Sequence, residues 1–266
     1  MRRLALHEAM VHAVPGRDLR DLGDSILLHD PVDPEPFWNR VAGIRWPVEP
    51  DAFDRRLTEV LILFASLGRQ PHVWPSPEHD TPGDLIARLA ANGFQDMGLS
   101  TMMAVGRGSV SPPMEPAPQA GVTLERSTGL RASAAASLAP AIVEVLRDAF
   151  EVGAEREPGI RDETVVSLGH RSFTHYLVRL DGQPAAVARR ATFDDISYLS
   201  SIGTASWARG QGLARLVTLT ALRDALLARS EWTHLGVFAD NEVAIKLYRG
   251  IGFERIGDAV PDLLLV

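Results

Sequence analysis

The 266-residue chain has no cysteine, which excludes a disulfide framework, a thiolate nucleophile and a cysteine-ligated zinc site. A reducing compartment is thereby permitted. Lysine is nearly missing too, with Lys246 alone among 27 basic residues. A preference for arginine codons accounts for this more simply than 26 selected guanidinium contacts. No run approaches the roughly 18 apolar residues that a bilayer crossing needs. The opening MRRLALHEAM is broken by His7 and Glu8 before a signal-peptide core can form. The expectation is a cytoplasmic protein with no membrane partner. Positive charge is also scarce: the net charge is −7, with 11 basic against 16 acidic residues over 1–119 and 16 against 18 over the remainder. Neither part has the basic excess of a phosphate-backbone binder, so no nucleic-acid partner is expected.

What is present describes a globular protein. Hydrophobic residues make up 45% and charged residues 23%, an ordinary balance, and the length suits about two compact domains. Residues 106–121, GRGSVSPPMEPAPQAG, combine Pro, Gly and Ser without apolar periodicity and read as a connector. The expected domains are therefore 1–105 and 122–266. In the second, strands are expected at Val122–Arg126, Phe173–Leu180, Ala185–Thr192, Ile196–Thr204 and His234–Ala239, with Asp181-Gly182 as a hairpin turn. Helices are expected at Ala139–Phe150, Gly210–Arg229 and Glu242–Arg249, the last stopped by Gly250 and Gly252 before a final strand or pair of strands. The fold class is mixed α/β.

A faint internal repeat runs through the chain at an offset of 159 residues. LIARLAANGFQDMG over 85–98 lines up with AIKLYRGIGFERIG over 244–257, matching Gly93-Phe94 to Gly252-Phe253, Gly98 to Gly257 and Ile86 to Ile245. The same offset sets helix-like Leu57–Phe64 under Leu216–Arg223, and Trp38–Ile44 under Ser197–Gly203. This predicts duplication.

The sharpest local signal is Arg209-Gly210-Gln211-Gly212-Leu213-Ala214, between a strand and a long helix. Glycines there let backbone approach a ligand, and the unpaired N–H groups of a helix's first turn form an anion site suited to a diphosphate. A tight turn alone would give the same string. It lacks the GK[ST] ending of a Walker loop and the third glycine of a dinucleotide fingerprint. About 30 residues on, Asn241-Glu242-Val243-Ala244-Ile245-Lys246-Leu247-Tyr248 leads into Gly250-Ile251-Gly252-Phe253.

Together, R-G-x-G-x-A and N-x-x-A-I-x-L-Y-x-x-x-G-F, in this order and with a strand at Leu235–Ala239 between them, resemble the GNAT superfamily of acyl-CoA-dependent N-acyltransferases. The resemblance is strong over 196–257, and through the repeat it implies two GNAT-like domains, each a mixed, mainly antiparallel sheet flanked by helices, the first shortened and degenerate. It implies that Arg209, Gly210, Gln211, Gly212, Leu213 and Ala214 hold the coenzyme A pyrophosphate through backbone amides. Ile202, Gly203 and Thr204 would pair with the pantetheine arm and aim a main-chain N–H at the thioester carbonyl, their side-chain identity mattering little. Tyr248 would protonate the departing thiolate, being a phenol near pKa 10, although a tyrosine late in such a helix is also commonly a core residue. Asn241 would cap its helix, touch the coenzyme, or both.

The implied activity is transfer of an acetyl group from acetyl-CoA to a primary amine on a small molecule or peptide, by direct attack in a ternary complex and without a metal. Two rivals are a non-catalytic acyl-CoA-binding sensor or interaction module and an aminoacyl-tRNA-using relative, which would need a basic groove. No general base is assigned: Asp194, Asp195, Tyr198, Ser200, His170 and His175 are available, and His234 reads as structural. Trp207, just before the glycines, would pack on the coenzyme or on the helix, the helix being the simpler reading. Under the 159-residue offset Arg209–Ala214 overlie Pro50–Arg55, which has no glycine and two carboxylates, so no acyl-CoA site is expected in domain 1–105. The amine acceptor, acyl chain length and oligomeric state are not encoded legibly.

Overall fold

The computed structural model describes residues 2–14, 16–76, 79–111 and 120–266, so that 112–119 of the expected connector lie outside the described residues. The chain divides into two compact units. Unit 1 comprises Met1–Met103, Gly236–Ile245 and Arg255–Val266, and unit 2 comprises Ala104–Leu235 and Lys246–Glu254. Residues 236–245 and 255–266 thus group with unit 1, although they follow the expected connector at 106–121.

Unit 1 contains α1 (Arg2–Ala13), β1 (Asp18–Asp21), β2 (Ile26–His29), β3 (Arg40–Ala42), α2 (Pro50–Ser66), β4 (His72–Trp74), α3 (Leu85–Ala91) and most of β5 (Phe94–Gly106). The helix α2 starts with Pro50 in its first turn, where a missing N–H costs nothing. It ends before Gly68 at φ +63°. Its apolar residues Phe53, Leu57, Val60 and Phe64 recur at helical spacing and are buried with Trp46, Val41, Val73, Leu89 and Phe94. Each such side chain contributes about 2 kcal/mol as an upper estimate. The sheet order is β1-β2-β3-β4, with only β3 and β4 parallel. A strand from the far end of the chain, the last one (Val260–Leu265), pairs antiparallel with both β4 and β5, and its Leu263 joins this core. That pairing is why the C-terminal residues group with unit 1.

From Val122 onwards the chain follows the expected order more closely: β6 (Val122–Ser127), α4 (Ala132–Ala149), α5 (Glu157–Gly169), β7 (Phe173–Leu180), β8 (Gln183–Phe193), β9 (Ile196–Thr204) and α6 (Leu213–Leu227) lie in unit 2, β10 (Trp232–Phe238), α7 (Glu242–Arg249) and β11 (Glu254–Arg255) are each divided between the two units, and β12 is the Val260–Leu265 strand of unit 1 already described. The strands β6 to β9 form antiparallel neighbours, and β10 runs parallel to β9. Asp181 (φ +50°) and Gly182 (φ +85°) make the β7–β8 turn, as two left-handed residues must. Helix α4 starts at Ala132, seven residues before the expected Ala139, and carries Pro140 inside it; Ala135 and Ala139 already face its core. Helix α5 was not expected. Its buried residues are Thr164, Ser167 and Leu168, which give little apolar periodicity.

The repeat segments adopt like structures, 57–64 and 216–223 both being helical. The 159-residue register breaks before these helices, because α2 starts at Pro50 and α6 at Leu213, 163 residues apart. Unit 1 therefore passes into its helix without a counterpart of Arg209–Gly212.

Candidate active site

The site in unit 2 is built around the end of β9. Along β8, Val187 pairs with Gly203 and Arg189 with Ser200. Between these pairs the single residue Ala188 of β8 is faced by two of β9, Ser201 and Ile202, which makes a bulge. Ser201 takes the extra turn at φ +52°. On its other edge β9 pairs with β10 only at Ile196, Ser197 and Tyr198, the last opposite His234. From Leu199 to Thr204 that edge has no strand partner among the described residues. The Ala205 N–H donates to Ala185 O at 2.8 Å, towards β8, so strand alternation turns the N–H groups of Thr204 and Ile202 to the unpartnered edge. Thr204 Oγ1 is buried with no hydrogen bond among the described residues, which costs about 1–3 kcal/mol.

Beyond β9 a short turn at Ser206–Ala208 leads into the glycine segment. Gly210 and Gly212 lie at φ +78° and +77°, and a Cβ on either would meet nothing within 4 Å. Glycine is required by the left-handed backbone, and the space over it is open. Gly212 caps α6 without any side-chain hydrogen bond, and no acidic residue stands in the first turn, leaving the leading N–H groups uncovered. Arg209, Gly210, Gln211 and Gly212 are exposed, Ala214 is half-buried and Leu213 anchors the helix in the core. The Arg209 guanidinium bends back, donating to Ala149 O (3.4 Å) and Thr204 O (3.5 Å), which sets a cation at the C-terminal end of α4. Ser206 ties the same helix end through N–H and O–H donation to Asp148. These bonds hold the Asp148 carboxyl below the usual range.

Gly203 is tighter than sequence reasoning allowed. A Cβ there would stand 2.8 Å from Ala149 Cβ and 3.4 Å from Phe150 Cε2, so side-chain identity in Ile202–Thr204 does matter at this position. Glycine lets the end of α4 pack onto β9.

Tyr248 lies on α7 and is 7% exposed, its ring 6.1 Å from that of Phe253. Burial pushes its hydroxyl up to about 12. It makes no hydrogen bond among the described residues. The phenol is a weaker acid than the near-10 value expected from sequence, and it keeps its proton at neutral pH. Arg215, in the first turn of α6, donates to Gly250 O at 3.3 Å, bringing the end of α7 to the start of α6. In unit 1, Asn241 Oδ1 accepts the Ala244 N–H at 3.1 Å and so caps α7.

The other candidates separate clearly. His175 is buried and bonded to Ser167 Oγ at 2.9 Å, and burial with the nearby Arg189 pushes it down to about 3, so it stands neutral. His170 Nδ1 accepts the Ser172 N–H and packs on Phe173 and Phe193. His234 is fully buried with its ring 4.9 Å from Tyr198. Trp207, expected to pack on the helix, keeps 49% of its surface exposed. Sequence reasoning missed the bulge at Ser201 and the buried pair Glu163–Arg189, whose only signal was a charge at an inward strand position. No cluster of three or more metal-ligating side chains occurs among the described residues.

In unit 1 the corresponding strand end is built differently. The parallel pair β3–β4 ends at Ala42 and Trp74, and the chain's own residues then close on the β3 extension. Thr81 N–H donates to Ile44 O (3.0 Å), Trp46 N–H to Thr81 O (3.1 Å), and Arg45 bridges Thr81 in parallel fashion. Asp80 accepts the N–H groups of Ile44 (2.9 Å) and Ser76 (2.7 Å). Its burial raises its carboxyl to about 6.

Residues 139–253 match the model of the acetyltransferase (GNAT) family. Among curated proteins, 45 residues are 47% identical to a mycothiol acetyltransferase of Nocardiopsis dassonvillei, 17% of this chain and 14% of that one. The match spans about a seventh of that relative's length. Solved structures resemble the chain over nearly its whole length. A GCN5-related N-acetyltransferase from Kribbella flavida superposes with a TM-score of 0.72 at 23% identity, covering 99% of this chain and 94% of that one. A tandem GNAT protein from the clavulanic acid biosynthesis pathway gives 0.64 at 18% identity, covering 97% and 85%. The whole chain thus has the fold of GCN5-related acetyltransferases, and residues 139–253 are a domain of the GNAT acetyltransferase family.

Proposed function

We propose that the chain is an N-acyltransferase that moves an acetyl group from acetyl-CoA to a primary amine by direct attack in a ternary complex. The observation that carries this reading is the unpartnered edge of β9, from Leu199 to Thr204, running into a left-handed glycine pair at an uncapped helix start. The N–H groups of the Gly210–Ala214 turn would meet the diphosphate, favoured by the positive end of α6. Thr204 and Ile202 would pair with the extended pantetheine arm as a strand would, through their main-chain N–H groups.

The chemistry then follows from these positions. The lone pair of the neutral amine attacks the thioester carbon, and negative charge grows on the carbonyl oxygen against the Ile202 N–H. The carbon–sulfur bond breaks as the Tyr248 hydroxyl gives its proton to the leaving sulfur. The proton shed by the amine nitrogen passes to water, and solvent reprotonates the tyrosinate. An amide and free CoA thiol result. Absence of cysteine supports direct attack over an acyl-cysteine intermediate.

Unit 1, in this reading, is a degenerate copy that takes no acyl-CoA. Its strand edge is filled by Asp80 and Thr81, and α2 lacks a glycine approach. Release of free thiol from acetyl-CoA, followed with a panel of amines beside a no-acceptor control, tests the whole. Amine-stimulated release is expected. Acetyl-CoA binding without such stimulation by any amine would replace the enzyme with a non-catalytic acyl-CoA sensor.

A further inference from the structure

The geometry points to Arg189 as a positioning residue that holds the β9 bulge, and with it the oxyanion-facing N–H, in place through Ser200. This rests on the acyl-transfer reading above. Ser201 adopts a left-handed conformation that a residue with a Cβ rarely takes unless its surroundings impose it. One flank of the bulge is fixed by Gly203, pressed against Ala149. The other flank is Ser200, which lies opposite Arg189.

Arg189 is 5% exposed. Its Nε donates to Ser200 Oγ at 3.0 Å and its Nη1 to Glu163 Oε1 at 2.7 Å, while the guanidinium carbon sits 5.5 Å from the centre of the Phe173 ring. An apolar side chain at this inward position would extend the core formed by Leu177, Val187 and Leu168 without desolvating a charge. A planar fork does what an apolar group cannot: it joins α5, through Glu163, to the residue immediately before the left-handed turn. The nearby His175 is bonded to Ser167, and it is the Arg189 guanidinium that donates to Ser200.

The test removes the contact from the Ser200 side, where the exposed-to-buried balance and the Glu163–Arg189 pair are left intact. Ser200→Ala is expected to lower kcat roughly tenfold while the acetyl-CoA Kd stays within about twofold. Ser200→Thr, which keeps the hydroxyl, should recover most of the rate. Arg189→Lys, which keeps the charge but not the fork, should behave like Ser200→Ala. Amide hydrogen exchange at residues 201–203 should quicken in Ser200→Ala with β7 unchanged. An unchanged kcat, or a loss of kcat matched by an equal loss of acetyl-CoA affinity, overturns the assignment. Should the parent protein turn over no amine at all, the acyl-transfer reading fails separately, and the exchange comparison decides the bracing by itself: faster exchange at 201–203 supports it and unchanged exchange overturns it.

Discussion

Replacing Gly203 by alanine isolates one packing contact that shapes the site. Gly203 does not occupy the left-handed region, so the substitution carries no backbone penalty and its effect is steric. The new Cβ would stand 2.8 Å from Ala149 Cβ, well inside the roughly 3.5–4.0 Å at which carbon atoms rest. Ala149 is the last residue of α4 and its Cβ cannot rotate away, so strand and helix must part. Overpacking of this kind costs about 1–3 kcal/mol. A 1 kcal/mol loss lowers Tm by roughly 2–4 °C in a protein of this size. Ala149→Gly removes the opposing methyl at a cost of at most about 1 kcal/mol in helix propensity. The double variant should therefore be more stable than Gly203→Ala alone, by on the order of 1 kcal/mol. Thermal unfolding of the parent, both single variants and the double variant gives the coupling directly. Acetyl-CoA KM should rise in Gly203→Ala and fall back in the double variant. An unchanged Tm in Gly203→Ala, or a double variant no more stable than that single one, would refute the packing argument.

Other outcomes follow from the same geometry. Tyr248→Phe should reduce kcat by about a hundredfold or more, the usual scale of a lost general acid, with acetyl-CoA affinity nearly kept; calorimetry beside thiol-release kinetics separates the two. Asp80 titrates near 6 when folded against 3.8 when free. A raised carboxyl means that the folded state binds the extra proton, so its contribution to stability grows as pH falls from about 6 towards 4, by on the order of 3 kcal/mol. Tm measured against pH should show this rise, and Asp80→Asn should lack it. His175, held down to about 3 from 6.5, works in the opposite sense: its stabilising share is complete above 6.5 and is lost as pH falls towards 3. Its imidazole NMR signals should not titrate between pH 8 and 5, and a titration there would contradict its burial.

The legible parts of the molecule were those written in local pattern. Alternation gave β7 and β9 to the residue, Asp181-Gly182 gave the hairpin, and paired glycines before a helical stripe marked the turn into α6. Features set by distant partners were not legible. Ser201 takes a left-handed turn without being glycine or asparagine, because pairing on β8 and packing from α4 impose it. Helix α5 hides its inward face behind Thr164 and Ser167, and α4 runs through Pro140 because Ala135 and Ala139 pack on the core ahead of it. The place of Val260–Leu265 between β4 and β5 depends on pairing across more than 150 residues, which no window of sequence contains. The partners of Arg189, Glu163 on α5 and Ser200 on β9, lie 26 and 11 residues away and leave no local pattern around it.

Calorimetric titration of the intact chain with acetyl-CoA tests the central claim most directly, since it counts sites and needs no knowledge of the amine. One molecule should bind per chain, and Gly212→Ala, which strains the φ +77° position, should weaken that binding at least about tenfold. No binding, or binding indifferent to Gly212, would contradict the diphosphate cradle at the start of α6, and two molecules per chain would contradict the closed strand edge of unit 1.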